Sequence, residues 1–333
     1  MVKLIKEYYD IWGGVKFWND NLFYIGSNRE IYYYKKGKKN VIKGYFHNIE
    51  IFNNELWASE NNILSTKIID LNTFEEKYFN FIISLPIFTS DKSCIFSSLR
   101  KGNNRFLCKI STLSKEIKKM YPISIEEYKS IVYISYDGSC IFNLNYVLKY
   151  YSINNNVFLW EKGKAELPSG FELNFGRIYH KSNLFVFYNK NFLSSIDQNS
   201  GKIIYHKQMP TRIITPPSFF DNKVYWFSLG PEKIIHVVDI ISGELEQEII
   251  PDERLLDRII FTKPTITEKY IFITAVSSHE IFILDRQTLT VINITPIENC
   301  KSRIPINNSP ALHGNILYQL DGDHRLHIFE MEV

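Results

Sequence analysis

Polar and apolar residues alternate only loosely along this chain, and short apolar runs of about five residues, the usual length of a strand, recur throughout it. The clearest unit is Asn183 to His206, NLFVFYNKNFLSSIDQNSGKIIYH, which reads as three strands: Leu184–Tyr188, Phe192–Asp197 and Lys202–Tyr205. Its second turn has a physical reason at each end. Asp197 can accept a hydrogen bond from the backbone two residues on, and Gly201 can take a positive φ without a Cβ clash. Weaker copies open near Leu22, Leu56, Cys94, Cys140, Val224, Tyr270 and Ile316, so that with Leu184 the steps are 34, 38, 46, 44, 40, 46 and 46 residues.

Another apolar stretch precedes most of these hairpins. The stretches are Val15–Trp18, Ile49–Phe52, Ile82–Ile87, Ile131–Ile134, Phe171–Ile178, Ile213–Phe219, Ile259–Ile266 and Ile304–Leu312. Four short strands every forty-odd residues is the period of a propeller blade. Runs such as Ile234–Asp239 are almost continuously apolar, which suits strands covered on both faces. The last copy lacks a fourth strand, whereas Val2–Tyr9 has no blade of its own. Placing that segment as the outer strand of the last blade removes two unpaired edges. The expected fold is all-β: an eight-bladed β-propeller of four-stranded antiparallel blades, closed by the N-terminal strand, as one domain over residues 1–333, with seven blades as the runner-up. Ser114–Lys119 and Asp252–Arg258 are short and charged and read as turns or single helical turns.

The turns Asp70-Leu-Asn-Thr73, Asp197-Gln-Asn-Ser-Gly201, Asp239-Ile-Ile-Ser-Gly243 and Asp285-Arg-Gln-Thr288 resemble the Asp-x-x-Thr/Ser-Gly turns of pyrroloquinoline-quinone-type and WD-like β-propeller repeats. The resemblance covers nearly the whole chain and implies the propeller fold. Two of these turns keep the glycine, no Gly-His…Trp-Asp pair is present, and only Trp160 sits late in a blade. The fold hosts many functions, so the resemblance implies little about activity. Quinone enzymes of this fold often carry vicinal cysteines, and this chain has no such pair, so no cofactor is expected.

Composition narrows the classes. A net charge of +3 and 45% hydrophobic residues fit a well-packed protein and make a global nucleic-acid or membrane-surface binder unlike this one. Cys94, Cys108, Cys140 and Cys300 show no metal-ligand spacing and read as reduced core residues, although Cys94 and Cys108 fall on adjacent predicted strands where a disulfide could form. The N-terminus lacks a continuous apolar signal region, and no apolar run reaches spanning length, so a cytoplasmic location is expected and the sequons at Asn293 and Asn307 read as chance.

No catalytic signature stands out. His324 and His327 are three apart on a predicted strand and point to opposite faces, and Asp321-Gly322-Asp323 reads as a hairpin turn rather than a calcium loop; no metal is expected. The pairs Glu126/Glu127 and Asp252/Glu253 read as solvated loop carboxylates, and Lys35 to Lys39 and Lys115 to Lys119 as solvated turns. Propellers tend to bind at the face where the chain passes between blades. The loops expected there collect Trp12, Arg29, Arg100, Arg105, Arg212, Arg254, Arg258 and Arg303. Arginine and tryptophan are common interface anchors, so these residues form the expected docking surface for a protein partner with an acidic surface. The expected function is a non-catalytic protein-interaction module, in its most specific form an immunity or antitoxin-type protein from a bacterial toxin pair. The alternative is a propeller hydrolase or lyase acting on a sugar or lactone at the channel mouth, which would need converging carboxylates there.

Overall fold

Among the described residues thirty-two strands pair into eight four-stranded antiparallel sheets, the blades of an eight-bladed β-propeller. The computed structural model describes residues 2–19, 21–35, 38–60, 65–79, 82–88, 93–101, 103–144, 147–171, 178–189, 191–209, 215–227, 235–249, 255, 261–306 and 308–331. Contacts divide the chain into two compact units, Asp10–Leu167, and Met1–Tyr9 with Pro168–Val333.

The unit Asp10–Leu167 holds four blades. They are β2 (Ile11–Trp18), β3 (Asn21–Gly26), β4 (Ile31–Lys35) and β5 (Lys38–Ile42); β6 (Phe46–Phe52), β7 (Glu55–Glu60), β8 (Ser65–Asp70) and β9 (Glu76–Phe79); β10 (Ile82–Phe88), β11 (Cys94–Lys101), β12 (Asn104–Ser111) and β13 (Ile117–Ile123); and β14 (Ile131–Ile134), β15 (Ser139–Leu144), β16 (Val147–Ser152) and β17 (Val157–Lys162). The other unit holds β18 (Ile178–Lys181), β19 (Leu184–Tyr188), β20 (Phe192–Asp197) and β21 (Ile203–Gln208); β22 (Ser218–Phe220), β23 (Lys223–Phe227), β24 (Ile235–Asp239) and β25 (Leu245–Ile249); β26 (Thr265–Ile266), β27 (Tyr270–Ala275), β28 (Glu280–Asp285) and β29 (Val291–Pro296); and β30 (Ala311–His313), β31 (Ile316–Leu320) and β32 (Leu326–Met331). The N-terminal strand β1 (Val2–Tyr8) pairs with β32 as the fourth strand of the last blade, as the pattern predicts.

The continuous apolar runs are explained by where the core lies. It sits between blades, not inside one sandwich. Along β23, Val224 and Trp226 pack with Val186 and Leu193 of the preceding blade, and Tyr225 and Phe227 pack with Ile271 and Phe282 of the following one. Side chains alternate faces with period two, so a strand buried on both faces must be apolar at every position.

One turn recurs between the third and fourth strands. The carboxylate of Asp197 accepts from the Ser200 N–H (2.8 Å), and Asp70, Asp239 and Asp285 each accept from the second and third backbone N–H groups that follow. Each turn is closed by a bond from the fifth residue's N–H to the first residue's carbonyl. Ser111 and Ser152 open the same turn in the third and fourth blades, a match that the aspartate pattern hides. The fifth residue lies in the left-handed region whether it is Gly201 (φ 67°), Gly243 (φ 68°), Phe74 (φ 63°) or Leu289 (φ 58°). Leu289 is buried against Tyr225 and Val291, and that burial decides the balance. Replacing it by glycine relieves about 1 kcal/mol of backbone strain but deletes a core side chain worth about 3 kcal/mol. Leu289→Gly should therefore lower stability by about 2 kcal/mol in urea denaturation; a stabilised variant would show that the strain dominates.

Outer strands share a second device. In the last six blades one residue of the outer strand has no partner across the ladder: Lys118, Leu159, Ile204, Glu246, Ile292 and Ile5. These are β-bulges, which bend the edge and sharpen its twist.

Several expectations need correction. Among the described residues the innermost strands β22, β26 and β30 are only two or three residues long, shorter than their apolar stretches, while positions 172–177 of the expected Phe171–Ile178 stretch lie outside the described residues. Ser114–Lys119 is only partly a turn, because β13 begins at Ile117. A short helix α1 (Ile125–Ser130) follows, capped by Ser124, and Glu127 is its reciprocal capping carboxylate rather than a free loop acid. The four cysteines are all thiols; Cys94 lies opposite Ser111, and Cys108 opposite Ser97, so the predicted neighbours do not face each other.

Candidate functional site

Two of the predicted docking residues meet. Trp12 lies near the start of β2, and Arg29 closes the turn between β3 and β4 in the left-handed conformation (φ 68°). The Arg29 carbonyl accepts from the Phe46 N–H (2.9 Å), which pins this turn to the start of the next blade. Its guanidinium lies over the Trp12 ring, 3.2 Å from the centroid. Tyr45 flanks the cation at 5.9 Å, and His47 contacts both aromatic rings, at 6.2 Å from Trp12 and 5.3 Å from Tyr45. Glu60 Oε1 accepts from the Tyr45 N–H (3.3 Å) and fixes the connection between the blades.

This cluster combines features that a structural role does not need. Trp12 and Tyr45 are 38% and 39% exposed, whereas the Nη1 of Arg29 is shielded from water and has no hydrogen-bond partner among the described residues. Leaving such a donor unsatisfied costs about 1–3 kcal/mol, more than the about 0.5–1 kcal/mol an exposed cation–π contact returns. Among the described residues the site therefore lacks one acceptor. Tyr45 and His47 were missed because they follow Gly44 in a blade-to-blade connection; the only signal is the aromatic run Tyr45-Phe46-His47.

The remaining predicted residues are placed apart or lie outside the description. Arg100 on β11 and Arg105 on β12 face each other directly across their hairpin. Two like charges so placed repel, and the Arg105 guanidinium donates back to the Asn104 carbonyl (3.0 Å). Arg105 also lines a recess of about 490 Å³ with Phe106, Pro122 and the cap of α1. Arg303 is exposed, in the other unit, where its carbonyl lies against Gly322. Arg212, Arg254 and Arg258 lie outside the described residues.

Three of the histidine and acid positions set aside in the sequence form one cluster, while Asp252 and Glu253 lie outside the described residues. His327 is fully buried, with Asp321 Oδ2 2.9 Å from its Nε2 and Glu7 Oε1 2.9 Å from its Nδ1. Asp321 and Asp323 also ion-pair with Arg325 (3.1 and 2.8 Å). Cys300, Asp321 and Asp323 converge, but the guanidinium already supplies the cation that their carboxylates face. Among the described residues no other cluster of potential metal ligands forms.

No protein-family model and no curated protein matches the chain in sequence. Solved structures do match in fold. Sqt1 from Saccharomyces cerevisiae superposes with a TM-score of 0.67 at 9% identity, covering 99% of each chain. BamB from Moraxella catarrhalis gives 0.59 at 11% identity over 100% of this chain and 98% of its own. A europium-containing methanol dehydrogenase gives 0.63 at 10% identity over 99% of this chain and 93% of its own. At these identities the likeness establishes the β-propeller fold and nothing about chemistry, and one of the three is by name an enzyme. Among the described residues, no helix is long and apolar enough to cross a membrane.

Proposed function

We infer that the chain is a non-catalytic protein-interaction module that engages its partner through Trp12, Arg29, Tyr45 and His47, and that the partner presents a carboxylate there. The carrying observation is the Arg29 guanidinium, held over the Trp12 ring with one nitrogen lacking an acceptor among the described residues. A carboxylate is the group that pairs best with a preorganised guanidinium, through short charge-assisted bonds. The exposed Trp12 and Tyr45 rings would then be buried around that contact, as interface anchors are. In its most specific form the partner is a toxin that this chain neutralises, and the partner's activity is then blocked at equimolar ratio. The test is retention of proteins from the native host on the immobilised chain. Arg29→Glu and Trp12→Ala should each weaken binding of the retained partner by about 30-fold or more, as hot-spot residues do. Equal affinity for both variants and the native chain sinks the reading.

A further inference from the structure

At the opposite end of β12 from the Arg100–Arg105 hairpin, an open cleft of about 460 Å³ lies between the second and third blades. Among the described residues it is lined by Ile68, Tyr78, Phe79 and Leu113, with Lys77 and Lys115 at its polar margin and no acid. Leu113 is 92% exposed and Tyr78 50%. The leucine is not required by the turn that carries it: the third residue of the same turn elsewhere is Asn72, Asn154, Asn199 or Gln287, with Ile241 as the exception. A large side chain at a turn tip beside an apolar recess is a surface awaiting cover.

The charges around the cleft are unevenly used. Glu55 is paired with Lys115, Glu76 with Lys67 (3.2 Å) and Glu116 with Lys118 (2.9 Å). Asp70 is held by the backbone N–H groups of Thr73 and Asn72, which keep its carboxyl below the usual range. Lys77 makes no short ion pair of this kind among the described residues. We propose that this cleft binds a small amphipathic anion, with its apolar body on Ile68, Phe79 and Leu113 and its acidic head at Lys77. The volume falls in the range of small-molecule sites, about 300–1,000 Å³, and the lining combines an apolar floor with few polar groups, as such sites do.

The probe is 8-anilinonaphthalene-1-sulfonate, an aromatic body with a fixed negative charge. It should bind saturably at one site, with blue-shifted fluorescence. Leu113→Asp and Lys77→Glu alter exposed side chains, so both should fold, as far-UV circular dichroism would show, and both should weaken binding about tenfold or more. Leu159→Asp, at an exposed leucine on β17 in the same unit, should leave binding unchanged. A cationic dye of similar ring size should bind at least about tenfold more weakly than the sulfonate. No saturable binding, binding that neither cleft variant reduces, or equal binding of the cationic dye overturns the proposal.

Discussion

Replacing His327 by alanine is expected to destabilise the unit that contains it by about 3–5 kcal/mol, the cost of removing one partner from a buried charged cluster. The ring is fully buried and has a carboxylate near each nitrogen, Glu7 on β1 and Asp321 directly after β31. Of the two contacts only the one between Nε2 and Asp321 Oδ2 has hydrogen-bond geometry. Burial works to raise the Asp321 carboxyl, but His327 and the N–H groups of Arg325 and Asp323 outweigh it and hold the group below the usual range. Its contribution to stability is therefore present above the unfolded value near 4 and is lost as the pH falls below that. The Glu7 contact is short, yet its geometry is not that of a hydrogen bond, and Glu7 is partly exposed. Glu7→Gln should consequently cost about 1 kcal/mol or less, mostly by loosening β1 from β32. Urea denaturation of the two variants measures both. Equal effects, or a loss below about 1 kcal/mol for His327→Ala, would mean that packing and not charge holds this strand.

Acidification should act earlier, through His236. This histidine on β24 is fully buried, and its ring stacks on Trp226 with centroids 4.8 Å apart. Burial pushes the imidazole down to about 4. The sign follows from the two states. Between about 6.5 and 4 the unfolded ring takes up a proton and the folded ring does not, so stability falls as the pH falls through this window. The full loss, about 3 kcal/mol, is reached near pH 4, and about 2 kcal/mol of it is spent by pH 5. At pH 5 the carboxylates that Asp321 represents are still ionised, so the two effects separate. A His236→Phe chain should show a much flatter stability between pH 7 and 5. An unchanged slope in that variant would place the proton uptake elsewhere. Trp226 is the only tryptophan between Pro168 and Val333, and a fluorinated label on it would sense the charge on its neighbour directly.

How much of this was readable from residues varies with the physics of each part. The outer three strands of the blades were legible because burial on both faces writes itself as unbroken apolar runs, as in Leu184–Tyr188. The pairing of β1 with β32 followed from counting edges. The innermost strands were harder, since β26 has two residues and too few side chains to carry a period. Ser111 and Ser152 show why the turn repeat was undercounted: a serine hydroxyl can accept one of the N–H bonds an aspartate takes, with no change in backbone. At the candidate site, residue type alone pointed to Trp12 and Arg29, but not that they touch. That contact depends on a left-handed arginine and on a connection through Tyr45, neither of which has a sequence period.

The unmatched residue in each outer strand bears on how this chain behaves when crowded. A chain assembled from many similar β-units presents the same kind of edge repeatedly, and the newly made or partly opened protein could use one edge as a template for another. Ladders that meet across Leu159, Ile204 or Ile292 can match only a few residues before the extra one throws them out of step. The first two blades lack this irregularity and instead carry Lys38, Lys39, Glu76 and Lys77 on their outer strands. The features that oppose edge-to-edge pairing are thus distributed blade by blade, a bulge in six and charged side chains in two.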